Sequence, residues 1–345
     1  MLPASSAGSR RRGLPLAALA SLTIALVGCQ AGGSAKAPQP HQVAAAFVEA
    51  VVLPQYNQLL QSSESLAQAL DTLAAQPTQA HLTAARAAWA AVRQHWETGE
   101  SWAFGPAESQ GYDGNLDDWP VNTKDLAAAL NAPALSARTF AQLTTTARGL
   151  HGIEAVLFGP GLSEASALTP QQRAYLREAG QDLVVQSRGL LQAWQGPEGF
   201  GATLVGASGN AQAADNAVNE MLQGMIGTLE ELAAEKLGQP LSTRNKTDLE
   251  SFYSDTTQAD VVANLSGVEQ VWTRTRLQAL IAAQDAALAR SIDQALTGAL
   301  ARARALPPRL NGQLTTESGR QAIAAVVADC ERSAKLLQQA MESRA

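Results

Sequence analysis

The stretch Gly149-Leu150-His151-Gly152-Ile153-Glu154-Ala155-Val156-Leu157-Phe158-Gly159 sets a histidine and a glutamate three residues apart. Residues i and i+3 share one face of a helix, so the imidazole of His151 and the carboxylate of Glu154 are expected to project together. Gly149 and Gly152 leave little side-chain bulk beside the histidine, and Ile153, Val156, Leu157 and Phe158 make the rest of the segment apolar. A buried charge is costly unless it is paired or metal-bound. A bare polar spot on a greasy helix therefore reads as a feature kept for function.

The chain around this stretch is built for helices. Hydrophobic residues make up 46% of the 345 positions and charged ones 16%, enough for a sizeable, mostly aliphatic core. Long alanine- and leucine-rich runs with little proline favour helix. Val43 to Leu73 carries apolar residues at spacings of three and four, an amphipathic helix bent or broken near Pro54. Thr78 is placed to cap a second helix whose stripe runs through Leu82, Trp89 and Trp96. That helix ends in Trp96-Glu97-Thr98-Gly99-Glu100. Glu97 and Glu100 again stand at i and i+3, and the aromatic residues beside them suggest burial rather than a solvated helix end. They are candidate oxygen ligands facing His151 and Glu154.

Gly105 to Asn122 reads as a long non-helical loop holding Asp113, Asp117, Asp118, Trp119 and Pro120, with Asp118 and Trp119 as candidate lining residues. Ser136 is expected to cap the helix that carries His151. Thr169-Pro170-Gln171-Gln172 is a capping box that opens a helix to Trp194. Residues 195–210 are glycine-rich but lack the Lys-Ser/Thr of a phosphate loop, and so read as a connection. A second helical set follows: 211–237, 260–273, 277–305 and 315–342.

The amino terminus reads as targeting sequence. Arg10, Arg11 and Arg12 precede an apolar run from Leu14 to Val27 that is too short to span a bilayer comfortably. Leu26-Val27-Gly28-Cys29 resembles a bacterial lipobox. The expectation is a signal peptide over residues 1–28, lipidation of Cys29, a flexible tether over 29–42, and a protein anchored to the outer membrane and facing the periplasm. Only Cys330 then remains, which excludes an intrachain disulfide or a cysteine metal cluster. It reads as a buried, inert thiol. The net charge of −6 and the lack of a basic stripe exclude nucleic acid as a partner.

The Gly-x-His-x-x-Glu of residues 149–154 with its Leu157-Phe158-Gly159 resembles the signature of the imelysin family, also called peptidase M75-like. The resemblance extends to Trp96-Glu97-x-x-Glu100, Phe104-Gly105-Pro106, Asp117-Asp118-Trp119-Pro120, Lys236-Leu237-Gly238, Glu250-Ser251 and Asn264-x-x-Gly267. It implies an all-α fold of two packed, duplicated helical bundles, here 43–195 and 211–345. It also implies an envelope protein tied to iron uptake, with possible envelope iron-uptake partners.

Mixed histidine and carboxylate donors suit iron, zinc or manganese. The metal ligands expected are His151, Glu154, Glu97 and Glu100, with Asp118, Trp119, Gly149 and Gly152 lining the site between the halves. The order His-x-x-Glu is the reverse of the di-iron motif, so the chain is not read as ferritin-like. Two alternatives stay open. One is an M75-type metallopeptidase using His151 and Glu154, although no His-Glu-x-x-His is present. The other is a non-catalytic helical scaffold in which His151 simply bonds to Glu154.

Overall fold

The computed structural model describes residues 37–132, 135–206 and 210–344, so the lipobox, Cys29 and most of the tether lie outside the described residues. Among the described residues there is no strand, and no helix is long and apolar enough to cross a membrane.

The chain enters through α1 (Pro40–Phe47), so the tether as expected from sequence runs three residues into a helix. A π-helical turn at Val48–Val52 joins it to α2 (Leu53–Ala75). The bend expected near Pro54 is this turn. Pro54 follows directly on this turn, whose wider hydrogen-bond register accommodates the missing N–H and the ring within a continuous helix. Thr78 caps α3 (Gln79–Gly99) by accepting from the His81 N–H.

Two expectations fail between α3 and His151. The segment after Gly105 is not a plain loop. It holds α4 (Pro106–Ser109) and α5 (Tyr112–Asp117), the first opened by Pro106 and the second by Gly111 in the left-handed conformation. Asn122 caps α6 (Thr123–Leu130). Ser136 does cap a helix, but only the single turn α7 (Ala137–Phe140). The helix that carries His151 is a separate, shorter one, α8 (Gly149–Phe158), which starts at Gly149 with φ of +63°.

The remainder follows the sequence more closely: α9 (Pro170–Trp194), α10 (Phe200–Val205), α11 (Ala211–Glu231), α12 (Gly238–Thr243), α13 (Thr257–Arg274), α14 (Leu277–Gln284), α15 (Ala286–Ala305) and α16 (Glu317–Glu342). The segment expected as one helix over 211–237 is interrupted by a second π-helical turn at Leu232–Lys236, and Gly238 and Pro240 lie within α12. The segment 277–305 is two helices, because Asp285 caps α15.

Two helical bundles result. In the first, α2 lies between α3 and α9 along the stripe Leu59, Ser63, Leu66 and Leu70. In the second, α16 packs on α11 and α15. The helix pair α3 and α13 forms the seam, and α1 crosses it to pack on α11. At Gly267 on α13 a Cβ would lie 2.1 Å from the Thr98 carbonyl oxygen. That contact needs glycine, and it brings the polar residues of α13 against the end of α3. The described residues form one compact unit.

Candidate metal centre at the seam

The backbone around α8 fixes where the imidazole can point. Trp89 Nε1 donates to the Leu150 carbonyl at 2.8 Å, and the Arg86 guanidinium donates to the carbonyls of Leu157 and Leu162, both at 2.9 Å. On the other side Tyr175 donates to the Ala147 carbonyl at 2.8 Å. The two glycines of the signature serve this packing rather than lining an open site. A Cβ at Gly152 would sit 2.3 Å from the Tyr175 hydroxyl, and one at Gly149 would sit 2.5 Å from the Leu116 carbonyl oxygen.

His151 and Glu154 do project together. Nδ1 of His151 lies 3.1 Å from one Glu154 oxygen, and both side chains are buried. The other Glu154 oxygen accepts from the Ser254 N–H at 2.9 Å and from its hydroxyl at 2.8 Å. Glu154 is thus bolted to the turn before α13 and has no oxygen to spare. Its role is to hold the proton on Nδ1 and leave Nε2 as the outward-facing atom, as an acid behind a ligating histidine does. Nε2 lies 3.3 Å from an Asp117 oxygen and 3.8 Å from a Glu250 oxygen. It is buried and has no hydrogen-bond partner.

Glu97 and Glu100 belong to an adjoining cluster rather than facing His151 directly. The buried ammonium of Lys236 lies 2.9 Å from Glu97, 2.8 Å from Glu100 and 3.0 Å from Glu250. The π-helical turn at 232–236 carries this lysine, and such turns recur at functional sites. Asn264 donates to Glu97 at 2.9 Å and to Glu100 at 2.6 Å. Arg93, one helical turn before Glu97, pairs with Glu97 and Asp117 and lies 2.8 Å from Glu250 and 3.7 Å from Asp260.

Six acids (Glu97, Glu100, Asp117, Glu154, Glu250 and Asp260) therefore surround two fixed cations and one imidazole. The cluster holds more negative charge than its own cations offset. Burial pushes Asp117 up to about 6 and Asp260 to about 8, although Arg93 pulls both down. Burial and the neighbouring Glu97 hold Glu100 well above its ordinary value despite Lys236. Glu250 goes the other way. Burial would raise it, but Lys236 and Arg93 hold it well below the usual carboxylate range. Burial and Arg93 would lower His151. Asp117, the hydrogen-bonded Glu154 and the nearby Glu250 outweigh them and raise it to about 9.

Two donor sets have atoms within 4.8 Å of one another: Asp117, His151 and Glu250, and separately Glu97, Glu100, Asp117 and Glu250. They share Asp117 and Glu250. Of the four ligands expected from sequence, His151, Glu97 and Glu100 fall in these sets, and Glu154 stands behind His151. Asp118 and Trp119 line the adjoining cleft. Asp117 and Glu250 each fall within a segment that resembles the family, Asp117-Asp118-Trp119-Pro120 and Glu250-Ser251, but neither is among the expected ligands. Neither stood out because charge number, burial and cross-chain distance are not legible in a linear pattern. One imidazole with two carboxylates suits a borderline or hard divalent cation such as iron, manganese or zinc. The orphaned Nε2 is the atom of the protein that fits it. His81 and His95 are engaged elsewhere, with Gln76 and Gln55.

Two cavities meet at this point. An open cleft of about 530 Å³ is lined by Glu100, Glu108, Asp113, Asp118, Glu231 and Glu235. A smaller pocket of about 310 Å³ is walled by Trp119, Pro120, Val121, Phe252 and Tyr253, with His151 and Glu154 at its polar end. Trp119 and Glu250 line both.

The imelysin family model matches residues 52–337. The chain belongs to the imelysin family. Iron-regulated protein A of Synechococcus elongatus is 32% identical over 305 residues, covering 84% of this chain and 83% of that protein. Two solved structures share the fold. One, described as an iron-regulated protein A precursor from Parabacteroides distasonis, has a TM-score of 0.78 at 20% identity, over 90% of this chain and 97% of that one. The other, an imelysin-like protein from Psychrobacter arcticum, has a TM-score of 0.72 at 19% identity, over 86% and 92%. This imelysin keeps the all-α, two-bundle architecture that its Gly-x-His-x-x-Glu signature implied, with the signature at the seam.

Proposed function

We propose that this imelysin is a metal-binding protein of the bacterial envelope that serves iron uptake and holds its cation on Asp117, His151 and Glu250. The observation that carries the reading is the buried, unpartnered Nε2 of His151, oriented by Glu154 and set within reach of two carboxylate oxygens. When bound, the metal supplies the positive charge that the six-acid cluster lacks. Glu154 and Ser254 keep the imidazole turned toward it, and Lys236 and Arg93 hold Glu250 ionised as a ligand. The acidic cleft is a route for cations, since like-signed walls concentrate counter-ions. The 32% identical relative carries the name iron-regulated protein A, which supports iron over zinc or manganese.

Peptidase chemistry needs an open metal position and a free general base near it. Glu154, the base the signature would offer, already accepts three hydrogen bonds. For the anchor, the proposal is lipidation at Cys29 and attachment to the outer membrane, which the lipobox-like sequence supports.

Metal analysis of the untagged protein tests the reading. The parent is expected to retain about one equivalent of metal and His151→Ala to lose most of it. Equal metal in both sinks the proposal. Mass spectrometry of the amino-terminal peptide is expected to show acylated Cys29, and Cys29→Ala to release the protein from membranes.

A further inference from the structure

The pocket beside His151 is not explained by holding a cation. Its walls are Trp119, Pro120, Val121, Phe252 and Tyr253. Trp119, Phe252 and Tyr253 are only half-buried, and the Phe252 and Tyr253 rings lie 3.9 Å apart between centroids. Phe252 packs against the core, but Trp119 and Tyr253 are not part of it. A cavity of about 310 Å³ lies at the small end of the range that takes organic ligands. The polar end of the pocket is His151, 1% exposed and with Nε2 lacking any hydrogen-bond partner, together with Glu250.

The two cavities differ in charge. Glu100, Glu108, Asp113, Asp118, Glu231 and Glu235 line only the open cleft. The aromatic pocket sees Glu154, whose oxygens are fully engaged, and Glu250, which is shared. An anionic ligand is therefore excluded from the cleft. It is accepted in the pocket only when a cation at Asp117, His151 and Glu250 offsets the local acids. Three protein donors also leave an iron-type cation short of its usual coordination number.

We propose that the aromatic pocket binds a small planar aromatic ligand with adjacent oxygen donors, which completes the coordination of a cation held by Asp117, His151 and Glu250. The inference rests on the metal-binding reading above. The ring lies among Trp119, Phe252 and Tyr253, its paired oxygens reach the cation, and the cation enters from the acidic side. Binding is ordered, metal first.

The test is calorimetric titration of catechol, and of phenol as the single-oxygen control, into the full protein. Each is run metal-free and loaded with redox-inert Zn²⁺, with metal content measured alongside. Catechol is expected to bind at least ten-fold more tightly to the loaded protein, and phenol to show no such dependence. Tyr253→Ala, which touches the pocket but not the cleft, is expected to weaken catechol at least five-fold with metal content unchanged. Glu235→Gln, on the cleft side only, is expected to leave catechol within two-fold. If Zn²⁺ is retained but catechol affinity ignores either the metal or Tyr253→Ala, the inference fails and the metal-binding reading stands. If Zn²⁺ is not retained, both fail, and the metal analysis distinguishes that outcome.

Discussion

Replacing Lys236 by methionine removes the buried ammonium from three carboxylates while keeping most of the side-chain volume. Its Nζ lies 2.8, 2.9 and 3.0 Å from Glu100, Glu97 and Glu250, and the residue is 2% exposed, so screening by water is slight. Removing one partner from a buried ion network costs roughly 3–5 kcal/mol, because charge is left uncompensated. At about 2.1 cal/mol/K per residue, each kcal/mol moves the Tm of a unit of about 300 residues by about 1.6 °C, so a loss of roughly 5–8 °C is expected in chelator at pH 7. The same change opens the four-acid set Glu97, Glu100, Asp117 and Glu250 to an added cation. A ligand at 100 times its Kd returns about 2.7 kcal/mol, so saturating Zn²⁺ is expected to restore half or more of the loss. Differential scanning fluorimetry of parent and variant, each with chelator and with Zn²⁺, makes the comparison. If Zn²⁺ raises the Tm of Lys236→Met no more than that of the parent, the cluster is not short of positive charge and the reasoning fails.

Three further outcomes are expected. Ser254→Ala removes one of the two Ser254 bonds that hold Glu154, and with it part of the support for the His151 ring. Loss of such an outer partner typically lowers metal affinity about 10–100-fold, so metal retention is expected to fall on dialysis while the circular dichroism spectrum stays helical. Gly152→Ala drives a methyl to within 2.3 Å of the Tyr175 hydroxyl and is expected to lower stability by about 1–3 kcal/mol. Adding Tyr175→Phe in the same chain relieves the overlap, and a double variant no more stable than the single one argues against the clash. The metal-free protein is expected to lose stability from pH 5 to 9. Asp117, Asp260 and His151 have folded values raised to about 6, 8 and 9. Each stabilises fully below its unfolded value and loses that contribution as pH rises through the folded one. Glu250, held low, contributes throughout this window and loses its contribution only in acid. Bound cation replaces the protons, so Tm against pH is expected to flatten when Zn²⁺ is present, and a chelator-treated curve that rises toward pH 9 contradicts the account.

The helical character and most long helices were legible because their signals are local. The stripe of α2, the Thr78 cap of α3 and the capping box at Thr169 each act within a few residues. The structure departs from sequence expectation where a local signal acts over a shorter reach than the element it opens. Ser136 caps one turn and no more, since the chain breaks again before Gly149. Pro106 and Gly111 open short helices where turn-rich composition suggested loop. The glycines of the signature looked like clearance for a ligand and proved to be clearance for Tyr175 and the Leu116 backbone.

By itself the sequence determined an all-helical chain and a histidine and glutamate sharing one helix face, because helical spacing fixes both within a single turn. Only the tertiary structure decided that Glu154 supports the imidazole rather than joining it, that Asp117 and Glu250 complete the donor set, and that Arg93 and Lys236 sit among the acids. These depend on contacts between residues as far as 167 positions apart and on burial that makes each charge depend on every other. Neither distance across the seam nor desolvation leaves a mark in the local order of residues.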